Sequence, residues 1–226
     1  MLTKTLQTSS LPMANKVGYV SALLNTVGGV IYFVVILIAA LTGKMTIPPG
    51  NDLQLFGGII TLIICPILVT MMAGLHAVTP VEKKVLSQAS FGFTLLFAIS
   101  VSINRFSQLG VVRQAAASGK IEGISWFLAY GDASIMLGLE YLGWAWFLGL
   151  AMLCAAPLFS SSRTRLNQWI CRFMILYGIL AIVSSVGFLL GSWLSLLGFA
   201  AWGLVLFLIT GLLAVYFYSP RAGIMD

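Results

Sequence analysis

Residues 168–216 have the sequence QWICRFMILYGILAIVSSVGFLLGSWLSLLGFAAWGLVLFLITGLLAVY, and Arg172 is the single charged residue among them. A helix that crosses a hydrocarbon core of about 30 Å needs roughly 20 apolar residues. This stretch is too long for one crossing, and Gly191 with Ser192 interrupts it near its middle. It therefore predicts two membrane-spanning helices, 168–190 and 193–216, joined by a tight hairpin.

The rest of the chain has the same character. Of its 226 residues 60% are hydrophobic and 8% are charged, whereas about a quarter of a soluble domain is charged. Four further apolar stretches are long enough to span a bilayer: 17–41, 53–78, 89–112 and 135–159. We expect the first to be retained, because it is longer than the 7–15 apolar residues of a cleavable signal. Residues 1–226 are thus predicted to form an all-α, polytopic transmembrane helical bundle of about six spans, without a second domain.

The basic residues predict the orientation of this bundle. With six spans, both termini and the second and fourth loops lie on one side of the membrane. That side holds Lys4, Lys16, Lys83, Lys84, Arg163, Arg165, Arg172 and Arg221, and the other holds Lys44, Arg113 and Lys120. The positive-inside rule therefore places both termini in the cytoplasm. The net charge of +6 predicts contact with anionic membrane lipids and does not indicate nucleic-acid binding.

Aromatic residues mark the predicted membrane interfaces. Residues 121–130 mix large apolar side chains with Glu122 and are too short to span, which predicts an outer loop or an interfacial helix. Tryptophans mostly fall near span ends, as expected of an aromatic belt. These tryptophans are Trp126, Trp144, Trp146, Trp169, Trp193 and Trp202.

Two ionisable residues lie deep within spans, Arg105 in the third and Glu140 in the fourth. Arg105 is eight residues before Arg113, and Glu140 is eight residues after Asp132. At about 1.5 Å of rise per residue, both lie roughly 12 Å below the outer interface. Antiparallel neighbouring helices would therefore pair Arg105 with Glu140 inside the membrane and Arg113 with Asp132 at the outer rim.

The third span also carries polar residues near Arg105. At about 100° per residue, Asn104 and Gln108 fall within one arc, together with Ser100 and Ser107. Such an arc must face protein or a watery cavity. It can lock two helices together, or it can form a ligand site, because charge inside a membrane commonly marks function. In the site hypothesis Arg105 holds an anionic group, and Glu140 balances the charge or binds a cation. Asn104 and Gln108 orient the ligand. Arg113 and Asp132 lie at the outer entrance and control access to it.

Several membrane chemistries have no candidate residues in this sequence. His76 is the single histidine, and Cys65, Cys154 and Cys171 are isolated, so no metal site and no bound cofactor are predicted. The sequence has no HExxH motif, phosphate-binding loop or GxSxG elbow. Every lysine lies in a predicted loop or tail. These observations favour a non-enzymatic function.

The fourth span also resembles a family. The segments Tyr130-Gly131-Asp132 and Met136-Leu137-Gly138-Leu139-Glu140-Tyr141-Leu142-Gly143-Trp144 are similar to small multi-pass membrane proteins of bacteria that have no assigned function. Asn104-Arg105-Phe106-Ser107-Gln108-Leu109 and Ala155-Ala156-Pro157-Leu158-Phe159 share this resemblance, which covers about the central third of the chain. It implies a compact helical bundle in the cytoplasmic membrane of a prokaryote, and it implies no substrate, cofactor or catalytic residue.

Three functions remain open from the sequence. The leading hypothesis is binding or transport of a small molecule or lipid at a site between the third and fourth spans. The second is a non-catalytic subunit or scaffold of a larger membrane complex, in which it packs against a membrane protein partner or further copies of itself. The third is an intramembrane enzyme that acts on lipid, with Glu140 or Asp132 as acid or base.

Overall fold

The described part of the chain forms six long helices. The computed structural model describes residues 12–44, 52–120, 122–128, 134–160 and 164–219, and these residues contain no β-strand. The helices are α1 Met13–Leu41, α2 Asp52–Val78, α3 Val81–Ala117, α4 Ile135–Leu158, α5 Arg165–Leu189 and α6 Trp193–Tyr218. Each contains a stretch that is long and apolar enough to cross a membrane. The predicted all-α, six-span fold is therefore confirmed, and the chain is a multi-pass membrane protein.

The helices form a closed ring. Each helix packs against the next one along the chain, and α6 packs against α1. Glycines allow the closest approaches. A Cβ atom on Gly74 of α2 would lie 3.0 Å from Cα of Gly18 in α1, and a Cβ on Gly18 would lie 2.5 Å from the ring of Phe217 in α6. The missing side chains therefore bring α1 into direct contact with both neighbours, as small residues commonly do between membrane helices.

Two lysines hold helix ends on the face that carries the N-terminus of α1. Nζ of Lys83 donates to the carbonyl oxygens of Pro157 and Leu158, both at 3.1 Å, at the end of α4. Nζ of Lys84 donates to the carbonyl oxygen of His76 near the end of α2. The last carbonyls of a helix have no intrahelical partner and carry the negative end of the helix dipole. The ammonium groups therefore stabilise both ends.

Most of the helices extend a few residues beyond the predicted spans, whereas α4 and α5 each end one residue earlier than predicted. The predicted third span, 89–112, is part of a helix that runs from Val81 to Ala117, because lysine, glutamine and alanine outside the apolar stretch are good helix formers. Helix α1 begins at Met13 and not at residue 17. In the predicted outer segment 121–130, residues 122–128 contain one short 3₁₀ turn, Ser125–Phe127, and the other three residues lie outside the described part.

Candidate ligand-binding cavity

Arg105 and Glu140 form an ion pair between α3 and α4. Nη2 of Arg105 donates to Oε1 of Glu140, and the two side chains are 10% and 7% exposed. The pairing expected from their equal depths is therefore confirmed. Arg113 is exposed, and its predicted partner Asp132 lies outside the described residues. The rim pair thus stays a prediction.

Close packing of α3 against α4 positions this pair. A Cβ atom on Gly143 of α4 would lie 2.7 Å from the side chain of Val101 in α3. Next to this contact, the rings of Phe97 and Trp144 meet edge to face with centroids 4.7 Å apart. Nδ2 of Asn104, which is fully buried, donates to the carbonyl oxygen of Met136 at 3.0 Å. Asn104 of the polar arc therefore faces α4 and binds its backbone.

Gln108 connects the ion-pair region to the outer loop. Its Nε2 donates to the carbonyl oxygen of Phe127 at 2.6 Å, and Phe127 belongs to the short 3₁₀ turn outside α3. Gln108 therefore holds this turn over the end of the helix. Asn104 and Gln108 are adjacent to the ion pair but are not among the residues that line the cavity described next. Their predicted role in orienting a ligand stays a prediction.

A cavity of about 410 Å³ lies inside the helix ring. Arg105 and Glu140 form part of its wall, and α1, α2 and α6 supply much of the remainder. Most of the lining side chains are aromatic or aliphatic. The aromatic ones are Tyr32, Phe33, Phe97, Tyr141, Trp144, Phe199, Trp202 and Phe207. This volume and this largely apolar lining with few polar groups are typical of small-molecule sites. The predicted site between the third and fourth spans is thus one wall of a larger space.

Three helices contain π-helical turns, Gln108–Val112 in α3, Tyr141–Phe147 in α4 and Ala201–Val205 in α6, and the last two line the cavity. The second supplies Tyr141 and Trp144 to the wall, and the third supplies Trp202 and Gly203. Such turns are rare and occur frequently at functional sites. Because a π-helical turn has no sequence pattern of its own, these segments are not predictable from the sequence.

Four buried polar atoms near the cavity lack a hydrogen-bond partner within the part of the chain that the structure describes. They are Oδ1 of Asn104, Oε1 of Gln108, Oε2 of Glu140 and Nε1 of Trp202. A buried polar atom without a partner typically costs about 1–3 kcal/mol. Glu140 and Trp202 belong to the cavity wall. The wall therefore combines an acceptor and a donor that the surrounding described side chains do not satisfy.

Two of the tryptophans assigned to an interfacial belt, Trp144 and Trp202, line the cavity. The rings of Trp144 and Trp202 are 6.4 Å apart, and the ring of Tyr141 packs edge to face with Trp202 at 5.4 Å. On its other side, Tyr141 stacks on Phe188 of α5 at 4.2 Å. The spacing of Glu140, Tyr141 and Trp144 in one helix is a signal for this cluster that sequence analysis did not use.

Comparison with protein-family models, with curated proteins and with solved structures finds no match to this chain. Its function must therefore be inferred from the chemistry of the cavity.

Proposed function

We propose that this membrane protein binds a small molecule or lipid in the cavity enclosed by α1, α2, α3, α4 and α6. The observation that carries the proposal is the combination of a cavity of about 410 Å³ with a buried ion pair and an aromatic wall. Binding inside the bilayer is also the first step of transport, so the proposal covers a binding protein and a carrier.

Two further features support a binding role over plain helix packing. The ion pair faces a space and is not enclosed on all sides by aliphatic side chains. The π-helical turns of α4 and α6 both contribute residues to the wall of this space. Locking α3 to α4 requires only the contacts at Gly143, Asn104 and the ion pair. It requires no cavity lined by five helices.

The face with the lysine-capped helix ends is proposed to lie in the cytoplasm of a prokaryotic cell. Lys16, Lys83, Lys84, Arg165 and Arg172 mark that face among the described residues, and Lys44, Arg113 and Lys120 mark the other. A Lys44→Cys variant should react with a membrane-impermeant maleimide in intact cells. Lys16→Cys should react only after permeabilisation. The reverse pattern would overturn the orientation.

Filling the cavity should remove the bound molecule. Gly203 lines the cavity, and a Cβ atom there would lie 3.6 Å from the ring of Phe33, an ordinary contact. A Gly203→Leu variant should therefore fold, with its side chain occupying the space. Native mass spectrometry after gentle extraction is expected to show a small non-covalent adduct on the wild-type protein and to show at least a tenfold lower occupancy on the variant, roughly the effect of 1.4 kcal/mol.

Gly92→Leu is the matched control. A Cβ atom on Gly92 of α3 meets no heavy atom within 4 Å, so this variant adds the same side chain outside the cavity and should keep the adduct. An adduct that persists on Gly203→Leu contradicts the proposed site. A stoichiometric protein partner with no small adduct on the wild type would favour the scaffold hypothesis.

A further inference from the structure

The charges of the cavity neutralise each other. Among the described residues of its wall, Arg105 and Glu140 are the two that carry charge, and they are paired. A charged ligand would either draw one partner away from the other or add a further charge beside the neutral pair, and both leave a buried charge without its counter-ion. In a membrane interior such an uncompensated charge is strongly unfavourable. The cavity therefore favours an uncharged ligand, in contrast to the anionic group that the sequence suggested for Arg105.

Two polar atoms without a partner, both on residues of the wall, suit one functional group. Oε2 of Glu140 is an acceptor, Nε1 of Trp202 is a donor, and neither has a hydrogen-bond partner among the residues described. The two residues are connected through Tyr141, which follows Glu140 in the chain and contacts the Trp202 ring. A hydroxyl group both donates and accepts hydrogen bonds, whereas an ether oxygen only accepts.

The rest of the wall suits a hydrocarbon body. Phe33, Ile36, Ile64, Leu68 and Leu206 are among the side chains that line it. A volume of about 410 Å³ lies within the range of sites that enclose most of a small ligand. Apolar surface in such a cavity is stabilised by close contact with aliphatic and aromatic groups.

We propose that the ligand is an uncharged, mainly hydrocarbon molecule that ends in a hydroxyl group, held where Glu140 and Trp202 meet the cavity. This inference rests on the proposed function, because it names the ligand class of the same site. A free long-chain alcohol and a neutral glycerolipid with one unesterified hydroxyl share this chemistry.

The test uses the full chain in lipid nanodiscs and a 1-dodecanol analogue with a mid-chain diazirine. Photolabelling of cavity residues is measured by peptide mapping while unlabelled competitors are added at known mole fractions of the bilayer. The competitors are 1-dodecanol, its isomer methyl undecyl ether, dodecanoate, dodecyltrimethylammonium and dioctanoylglycerol. We expect 1-dodecanol to compete at about tenfold lower mole fraction than the ether and the two charged chains, the effect of about one good hydrogen bond.

Trp202→Phe tests the donor, and Trp169→Phe is its control on an exposed tryptophan outside the cavity. The first variant should reduce the preference for alcohol over ether several-fold, and the second should leave it unchanged. The wild-type comparison decides the ligand class even when Trp202→Phe does not fold.

Each result separates the two proposals. Saturable labelling of the cavity with equal competition by the ether or by a charged chain overturns the hydroxyl inference and leaves the proposed binding function intact. An unchanged preference in Trp202→Phe overturns the role of Trp202. Labelling that no competitor reduces overturns the proposed function itself.

Stronger competition by dioctanoylglycerol than by 1-dodecanol assigns the hydroxyl to a glycerolipid, and the opposite order assigns it to a free alcohol.

Discussion

Glu140→Gln alone is expected to destabilise the protein by about 3–5 kcal/mol, because it leaves the guanidinium of Arg105 buried without its counter-ion. Arg105 is 8% exposed and Glu140 6% exposed, so little of either side chain is open to water that could replace the lost partner. Arg105→Gln should cost a similar amount, since it leaves the carboxylate alone. The measurement is far-UV circular dichroism during titration of dodecylmaltoside micelles with sodium dodecyl sulfate.

The double variant Arg105→Met, Glu140→Met is the control. Replacing a buried ion pair with apolar side chains of similar volume is often neutral or stabilising, and methionine fills irregular space well. The double variant should therefore recover most of the stability that either single variant loses. Loss of less than about 1 kcal/mol in the single variants would mean that the pair is as well solvated as a surface ion pair.

The same double variant separates the two interpretations of the pair. If the pair only locks α3 to α4, the folded double variant should retain the small adduct of the wild-type protein. If the pair forms part of the site, the double variant should fold and lose that adduct. Single variants cannot distinguish these interpretations, because unfolding and loss of binding would occur together.

The sequence predicted the spans and the ion pair for a simple physical reason. Long apolar stretches are the strongest pattern that a membrane imposes, and antiparallel neighbours joined by a loop place residues of equal depth side by side. Arg105 lies eight residues inward from Arg113, and Glu140 lies eight residues inward from Asp132. Their equal depth was therefore sufficient to predict that they pair. The ends of the helices were predicted less exactly. For example, α3 continues to Ala117, beyond its apolar part.

The cavity could not be predicted in the same way. Its walls depend on closure of the ring between α6 and α1, a contact between residues far apart in sequence. Trp202 was placed in the interfacial belt because tryptophan commonly lies there. Its position in the wall depends on the π-helical turn Ala201–Val205, which has no recognisable pattern in the sequence.

The hairpin of α5 and α6 depends on the absence of a side chain at Gly187. A Cβ atom at this position would lie 2.5 Å from the backbone nitrogen of Ser195 and 2.7 Å from the carbonyl carbon of Leu194. Two hydrogen bonds fix the hairpin at this distance. The backbone nitrogen of Ser192 donates to the carbonyl oxygen of Gly187 at 2.8 Å. Oγ of Ser184 donates to the carbonyl oxygen of Ser195 at 2.6 Å. Backbone atoms held in this way cannot move aside as a flexible side chain would.

Gly187→Leu should therefore destabilise the protein by about 3 kcal/mol or more, the upper range for overpacking, measured by the same detergent titration. Gly92→Leu should stabilise the protein by at most about 1 kcal/mol, because leucine is a better helix former than glycine and its side chain enters open space.

Opening the hairpin should also disturb the cavity wall and reduce photolabelling, because the hydroxyl of Tyr141 donates to the carbonyl oxygen of Ser195 at 3.4 Å. Wild-type stability in Gly187→Leu would show that the hairpin is wider than this packing requires. The support that α5 and α6 give to Tyr141 would then come from its ring contacts with Phe188 and Trp202.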